Sequence, residues 1–158
     1  MKMLNLGHHA KIHCFMPHLF IYGTLLFPEI LEGLTGISPV TKPAELQGYR
    51  RFKLIGCDYP AIIPDPNSSV EGKLVINVDQ QSMDIITFFE GEDYQKSNVL
   101  IRAGNEEIPA TAFTWIGDFD RLKPEDWNKK QFEQYSLPYY AAKIIPEAIK
   151  AFYADGCN

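Results

Sequence analysis

Three cysteines in 158 residues, none in C-x-x-C spacing, leave neither a disulfide framework nor a zinc knuckle to build a fold on. Cys14, Cys57 and Cys157 are odd in number and far apart, so a reducing cytoplasm is the expected compartment. No apolar run approaches the ~20 residues of a membrane-spanning helix, and residues 1–18 are too polar and broken for a signal-peptide core. Without a secretory signal, Asn67-Ser68-Ser69 is a chance match to a glycosylation acceptor. Excess basic charge is missing as well. The formal net charge is −5, which removes the electrostatic footprint of a nucleic-acid or acidic-membrane binder. The densest basic stretch, Arg50-Arg51-Phe52-Lys53, reads as the solvated face of a strand. Phosphate-loop, dinucleotide-loop, H-E-x-x-H and G-x-S-x-G patterns are all absent. Only His18 lies near the domain, so a Ser or Cys triad would lack its usual base.

What is present is an ordinary globular composition, 46% hydrophobic and 22% charged, sufficient for one core. The chain is organised around Leu19-Phe20-Ile21-Tyr22-Gly23-Thr24-Leu25-Leu26. Alternation puts Leu19 and Ile21 on one face of a strand and Phe20 and Tyr22 on the other, and both faces are bulky enough to be buried. Gly23 then allows either a positive φ or the close approach of a ligand to the backbone. Its turn supplies backbone N–H groups with few internal partners, suited to an anion or a developing oxyanion.

Further along, residues 28–34 read as a short helix with Pro28 in its first turn and Gly33 or Gly36 closing it. Residues 49–55 read as a strand, 59–63 as an edge strand or loop, 65–69 as a turn, and 70–78 as a strand with a bulge near Gly72. Residues 79–89 are the clearest helix, with Asp79 or Ser82 as its N-cap and Gly91 as its stop. Strands follow at 99–101 and 108–116, then aromatic-rich helices over 124–135 and 138–153. The expected fold is α+β: one domain with a compact mixed, mostly antiparallel, barrel-like sheet and flanking helices. Residues 1–15 read as an arm, with Met16 as an alternative start and the domain spanning 16–158. His8, His9, His13 and Cys14 in that arm match no standard metal spacing, so no metal is expected.

Chemistry concentrates at Phe88-Phe89-Glu90-Gly91. A carboxylate between two phenylalanines and a glycine, at the C-terminal end of a helix, is pushed toward its neutral form by desolvation and by the helix dipole. Both effects bring its pKa toward the range where one group can accept and then donate a proton.

Tyr22-Gly23-Thr24-Leu25, Tyr49-Arg50-Arg51-Phe52, Tyr59-Pro60-Ala61, Val70-Glu71-Gly72-Lys73-Leu74 and Phe88-Phe89-Glu90-Gly91-Glu92-Asp93-Tyr94 occur in a telling order. In it the chain resembles the AIG2-like members of the γ-glutamylcyclotransferase family, over roughly residues 17–132. The resemblance implies a compact mixed barrel. It also implies an enzyme that cleaves a γ-glutamyl amide by attack of the substrate's own α-amine, releasing 5-oxoproline and an amine, with no cofactor or metal. By the same resemblance Glu90 is the catalytic acid/base, Tyr22, Gly23, Thr24 and Leu25 form the substrate-binding turn, and Tyr94 lines the pocket. Thr87 stands where the family usually has Asp, and Lys96 where Arg is common. The implied partner is a small-molecule γ-glutamyl compound, with no nucleic acid or membrane, and nothing specifies an oligomeric state.

Two other readings stand beside the enzyme: a binding module that keeps the pocket without turnover, and a protein-interaction module. The second rests on the aromatics Trp127, Phe132, Tyr135, Tyr139, Tyr140, Phe152 and Tyr153. The leaving amine is open among glutathione-like peptides, γ-glutamyl-amino acids, γ-glutamyl-lysine isopeptides and small-molecule amides. Because the arm lies outside the matched stretch, deletion of residues 1–15 is expected to leave the thermal midpoint and any 5-oxoproline release unchanged. A large fall in the midpoint contradicts this boundary.

Overall fold

The computed structural model describes residues 16–156. The arm, with the metal reading of His8, His9, His13 and Cys14, therefore lies outside the described residues, as does Cys157. Strand β1 (Leu19–Ile21) pairs antiparallel with β3 (Pro60–Val75) and parallel with β5 (Glu106–Trp115). β5 pairs antiparallel with β4 (Tyr94–Ala103), β4 bridges to β2 (Thr41–Leu54) at Glu45 and Arg102, and β2 runs antiparallel along β3. The circuit β3-β1-β5-β4-β2 closes on itself as a five-strand mixed barrel, and the short β6 (Leu122–Lys123) extends β2. The α+β barrel with flanking helices is the fold expected.

Period-two alternation gives the barrel two cores. Phe20, Leu46, Ile62, Ile101 and Ala112, one from each strand, meet inside it. Leu19 and Ile21 point the other way, into a second core shared with the helices. Gly72 makes the closure possible. A Cβ there would overlap the Ile21 carbonyl oxygen and lie 2.9 Å from Cζ of Phe20. The glycine in β3 therefore lets β1 come close, and Gly72 sits in unbroken register opposite Ala44 rather than at a bulge.

Strands β2 and β3 are longer than their sequence suggests. Pro43 and Gly48 lie within β2, and the 65–69 turn lies within β3. Gly48, at φ 83°, absorbs the irregularity: Gln47 faces Ser69 while Tyr49 faces Pro64, so β3 spends five positions where β2 spends two. The turn chemistry is present locally, with Asn67 N–H donating to Asp65 Oδ1 (3.1 Å) and Ser68 Oγ to Asp65 Oδ2 (2.8 Å). It makes a bulge because pairing resumes on both sides.

Helix α1 (Pro28–Thr35) ends at Gly36, whose N–H donates to Glu32 O from φ 74°. Helix α2 (Gln80–Glu90) is capped by Asp79, which accepts from Ser82 N–H at 2.7 Å, and stops at Gly91 with φ 84°. The helix expected over 124–135 is confined to α3 (Lys129–Tyr135). Asn128 is its N-cap, and the preceding loop is held open because the Trp127 indole donates to Asp58 O (2.7 Å) while Asp126 pairs with Arg51. The last helix, α4 (Ile145–Gly156), is entered through Leu137–Tyr139 and a π turn at Tyr140–Ile144. Pro146 follows that turn with one residue between, and its ring and missing N–H disfavour a regular α bond back into the turn. Helix α4 packs on α1 and α2, with Gly33 allowing Ile145 to approach α1. Among the described residues no helix is long and apolar enough to cross a membrane.

Candidate active site

Tyr22 to Leu25 leave β1 at one end of the barrel. The Tyr22 hydroxyl donates to Phe113 O at 2.6 Å, fixing its ring against β5. A 3₁₀ turn over Thr24–Leu26 follows, closed by Leu26 N–H to Gly23 O (3.0 Å) and Phe27 N–H to Thr24 O (3.2 Å). The N–H groups of Gly23, Thr24 and Leu25 find no acceptor among the described residues, although Thr24 and Leu25 are buried. Buried N–H groups without partners are rare, so this turn is equipped for an acceptor from outside the chain. Gly23 itself has φ −135°, so it is not there for a positive φ. A Cβ at this position would lie 2.7 Å from Cγ of Pro60, so the glycine makes room for the chain's own Pro60 ring, rather than for the positive φ or the ligand approach that the sequence suggests.

Helix α2 delivers Glu90 to the same place. Asp79 fixes where α2 starts, Gly91 fixes where it stops, and Tyr94 returns on β4 after a short turn. Tyr22, Gly23, Thr24, Leu25, Glu90 and Tyr94 line one small cavity, together with Tyr59, Pro60 and Phe113. All six site residues expected from the sequence thus meet. The Tyr94 hydroxyl donates to Pro60 O at 2.6 Å, and its ring packs edge-on against Trp115. Burial, followed by the neighbouring Tyr22 and Glu90, holds the Tyr94 phenol far above its ordinary range; burial and then Glu90 do the same to Tyr22. Both phenols are therefore neutral, and both have committed their protons to backbone carbonyls.

Glu90 differs from them. Its carboxyl accepts no hydrogen bond from the described residues, yet no buried side-chain oxygen is left without a partner. Its oxygens are therefore open to the cavity. Burial pushes its pKa up to about 8. A carboxyl of that kind exchanges its proton near neutrality, which is the property a combined base and acid requires.

Thr24, Tyr59 and Glu90 also form one wall of a wider groove, completed by Phe88, Phe89, Tyr140, Ile144, Ala148 and Glu147. Tyr140 and Ile144 come from the π turn. Their place in the site was not legible from the sequence, because it depends on α4 packing against α2. Tyr59 was also missed as a site residue: the sequence shows it within an edge strand or loop and in the Tyr59-Pro60-Ala61 motif, without a place in the cavity. Arg51 needs correction: rather than lying on a solvated face, its side chain is 17% exposed and one guanidinium N–H donates to Tyr22 O at 2.7 Å. Thr87 donates back to Met83 O (2.7 Å) and Lys96 is exposed, and neither lines the cavity or the groove. Of the aromatics behind the interaction reading, Trp127, Phe132, Tyr140 and Phe152 pack on the core, while Tyr135, Tyr139 and Tyr153 are exposed.

Residues 19–129 match the family described as gamma-glutamyl cyclotransferase, AIG2-like. Protein AIG2 C of Arabidopsis thaliana is 29% identical over 130 residues, spanning 81% of this chain and 76% of its own. AIG2-like protein A of the same plant is 27% identical over 119 residues, spanning 74% and 72%. A solution structure of an Arabidopsis thaliana protein superposes with a TM-score of 0.65 over 90% of this chain and 85% of that one, at 24% identity. A gamma-glutamyl cyclotransferase superposes with a TM-score of 0.51 over 87% and 99%, at 15% identity. At such identities these structures speak for the fold.

Two outcomes follow from this geometry. Gly23→Val forces Pro60 and the turn apart, at a cost of about 1–3 kcal/mol. It is expected to weaken binding of 5-oxoproline by roughly tenfold or more in protein shown by circular dichroism to be folded. Unchanged affinity contradicts the turn's role as a cradle. Glu90→Gln tests the half-buried carboxyl. The folded-state pKa of about 8 stands above the ordinary value of 4.5, so between these limits the folded state holds more protons than the unfolded. Wild-type stability therefore falls as pH rises through that window, and the penalty is complete above it. The Gln variant is expected to gain on the wild type over the same window, below a ceiling of about 5 kcal/mol that water reaching the cavity lowers. Denaturant titrations across the window check this, and parallel pH profiles refute it.

Proposed function

This chain belongs to the AIG2-like gamma-glutamyl cyclotransferase family, and on that premise we propose that it cleaves a γ-glutamyl amide to 5-oxoproline and a free amine. The substrate's α-nitrogen attacks its own γ-carbonyl carbon, forming the ring C–N bond. The carbonyl oxygen gains negative charge as the tetrahedral species forms, and the unpartnered N–H groups of Gly23, Thr24 and Leu25 are the donors available to it. Glu90 takes a proton from the attacking nitrogen and returns one to the departing nitrogen. The original C–N bond breaks and the carboxylate is restored. Because both reactants belong to one molecule, the site's main task is to hold a bent substrate, an effect worth up to about 7–11 kcal/mol when alignment is good.

The observation that carries this reading is the meeting of one high-pKa carboxyl with three free backbone donors in a single cavity. Tyr22 and Tyr94 serve as walls, since their hydroxyl protons are already engaged. The glutamyl part occupies the cavity and the amine part the groove. The groove's walls are aromatic and aliphatic, and Glu147 is its one charged side chain besides Glu90. An apolar amine therefore suits it better than one ending in a carboxylate, which would be desolvated without a cation.

The test is incubation with a panel of γ-glutamyl compounds, reading 5-oxoproline by mass spectrometry. Glu90→Gln is expected to reduce turnover by ~10²–10⁴-fold while leaving ligand binding nearly unchanged. In the wild type, log kcat/KM is expected to rise with pH along a limb whose apparent pKa is about 8, since the attack needs Glu90 ionised. A Gln variant that retains most of the wild-type release sinks the mechanism. Binding without release by the wild type supports the non-catalytic binding module instead.

A further inference from the structure

Behind the candidate cradle lies a clamp. One Arg51 guanidinium N–H donates to Tyr22 O at 2.7 Å, while Nε and the remaining terminal nitrogen fork onto Asp126 at 2.7 and 3.1 Å. The guanidinium carbon lies 5.6 Å from the centre of the Trp127 ring. Asp126 also accepts the Trp127 backbone N–H at 2.8 Å, and the Trp127 indole is tied to Asp58 O at 2.7 Å. Every neighbour that fixes the guanidinium is therefore itself fixed. This exceeds what ion pairing needs, since Asp126 is 64% exposed and such a pair is worth little alone.

The Tyr22 carbonyl and the Gly23 N–H belong to the same peptide unit. That unit is planar, and no cis bond occurs among the described residues, so the oxygen and the N–H point in opposite directions from one rigid plate. Holding the oxygen sets the direction of the hydrogen. The plate needs holding because Gly23, on its far side, lacks the side chain that would resist rotation. A charged donor on the carbonyl also polarises the peptide and makes its N–H a stronger donor.

We propose that Arg51 is a positioning residue: by gripping the Tyr22 carbonyl it turns the Gly23 N–H into the cavity and strengthens it for the substrate oxygen. The assignment rests on the cradle reading of the proposed function, and it acts through the backbone, with no contact between Arg51 and the substrate. Lys in this position can supply one donor to Tyr22 O but cannot also fork onto Asp126.

Two measurements test the clamp. In ligand-free, ¹⁵N-labelled protein, the Gly23 amide nitrogen is deshielded by the hydrogen bond on its own peptide's carbonyl. Its resonance is expected to move upfield in Arg51→Ala, and less so in Arg51→Lys, while the Gly33 resonance stays in place. With a γ-glutamyl compound that the wild type turns over, Arg51→Ala is expected to lose about 10- to 100-fold in kcat/KM. Millimolar methylguanidinium is expected to restore several-fold of that loss, a rescue that general loosening of the fold would not give. If Arg51→Ala does not fold, Arg51→Lys is judged by the same two measurements. A folded variant with an unmoved Gly23 resonance overturns the proposal, as does a kcat/KM loss that methylguanidinium leaves untouched. If the wild type releases no 5-oxoproline from any compound, the proposed function fails, while the Gly23 resonance still decides whether Arg51 sets the peptide plane.

Discussion

The architecture depends on how closely β1 can be drawn into the barrel wall. β1 spans three residues, and it joins an antiparallel neighbour on one side to a parallel neighbour on the other. So short a strand cannot hold itself by ladder bonds alone; both its faces must be packed. Phe20 fills the barrel, Leu19 and Ile21 anchor the helices, and Gly72 removes the side chain that would keep the backbones apart. The Tyr22–Leu25 turn inherits its position from this docking. A β1 displaced by a fraction of an ångström would carry the three N–H groups with it.

Against that fixed edge, α2 presents a carboxyl that the surroundings do not welcome. The helix is placed by its cap at Asp79 and by the packing of Met83, Ile85 and Ile86, not by anything Glu90 contributes. The cost of partly desolvating Glu90 is met by the packing of the helix as a whole, and the carboxyl retains its affinity for a proton. The two phenols beside it lack that freedom, because each is hydrogen-bonded to a backbone carbonyl. Of these three groups, only Glu90 keeps a proton that no backbone carbonyl holds.

Local signals in the sequence were legible where they matched the final environment. Alternation at Leu19–Tyr22, a glycine stop at Gly33 or Gly36 and another at Gly91, and a cap at Asp79 or Ser82 each describe a short stretch that the fold leaves undisturbed, with Gly36 and Asp79 the residues used. The apolar setting of Glu90 was legible because Phe88 and Phe89 are its neighbours in sequence. Long-range contacts were not. Pro43, Gly48 and the 65–69 turn read as interruptions, but pairing between β2 and β3 carries both strands through them. Arg51 read as solvated, since nothing local marks a bond to a carbonyl 29 residues earlier. The 124–128 segment read as helix until Trp127 and Asp126 found partners far back in the chain.

The parallel pairing of β1 with β5 also bears on how the molecule is made. Leu19 and Phe20 lie beside Thr111 and Ala112, about ninety positions later in the chain. During synthesis β1 can meet β3 once residue 75 has emerged, but its pairing with β5 waits until most of the domain is made. Loop-closure entropy makes such a contact slow to form. The 22–25 turn is thus among the first parts of this domain to be made and among the last to be assembled.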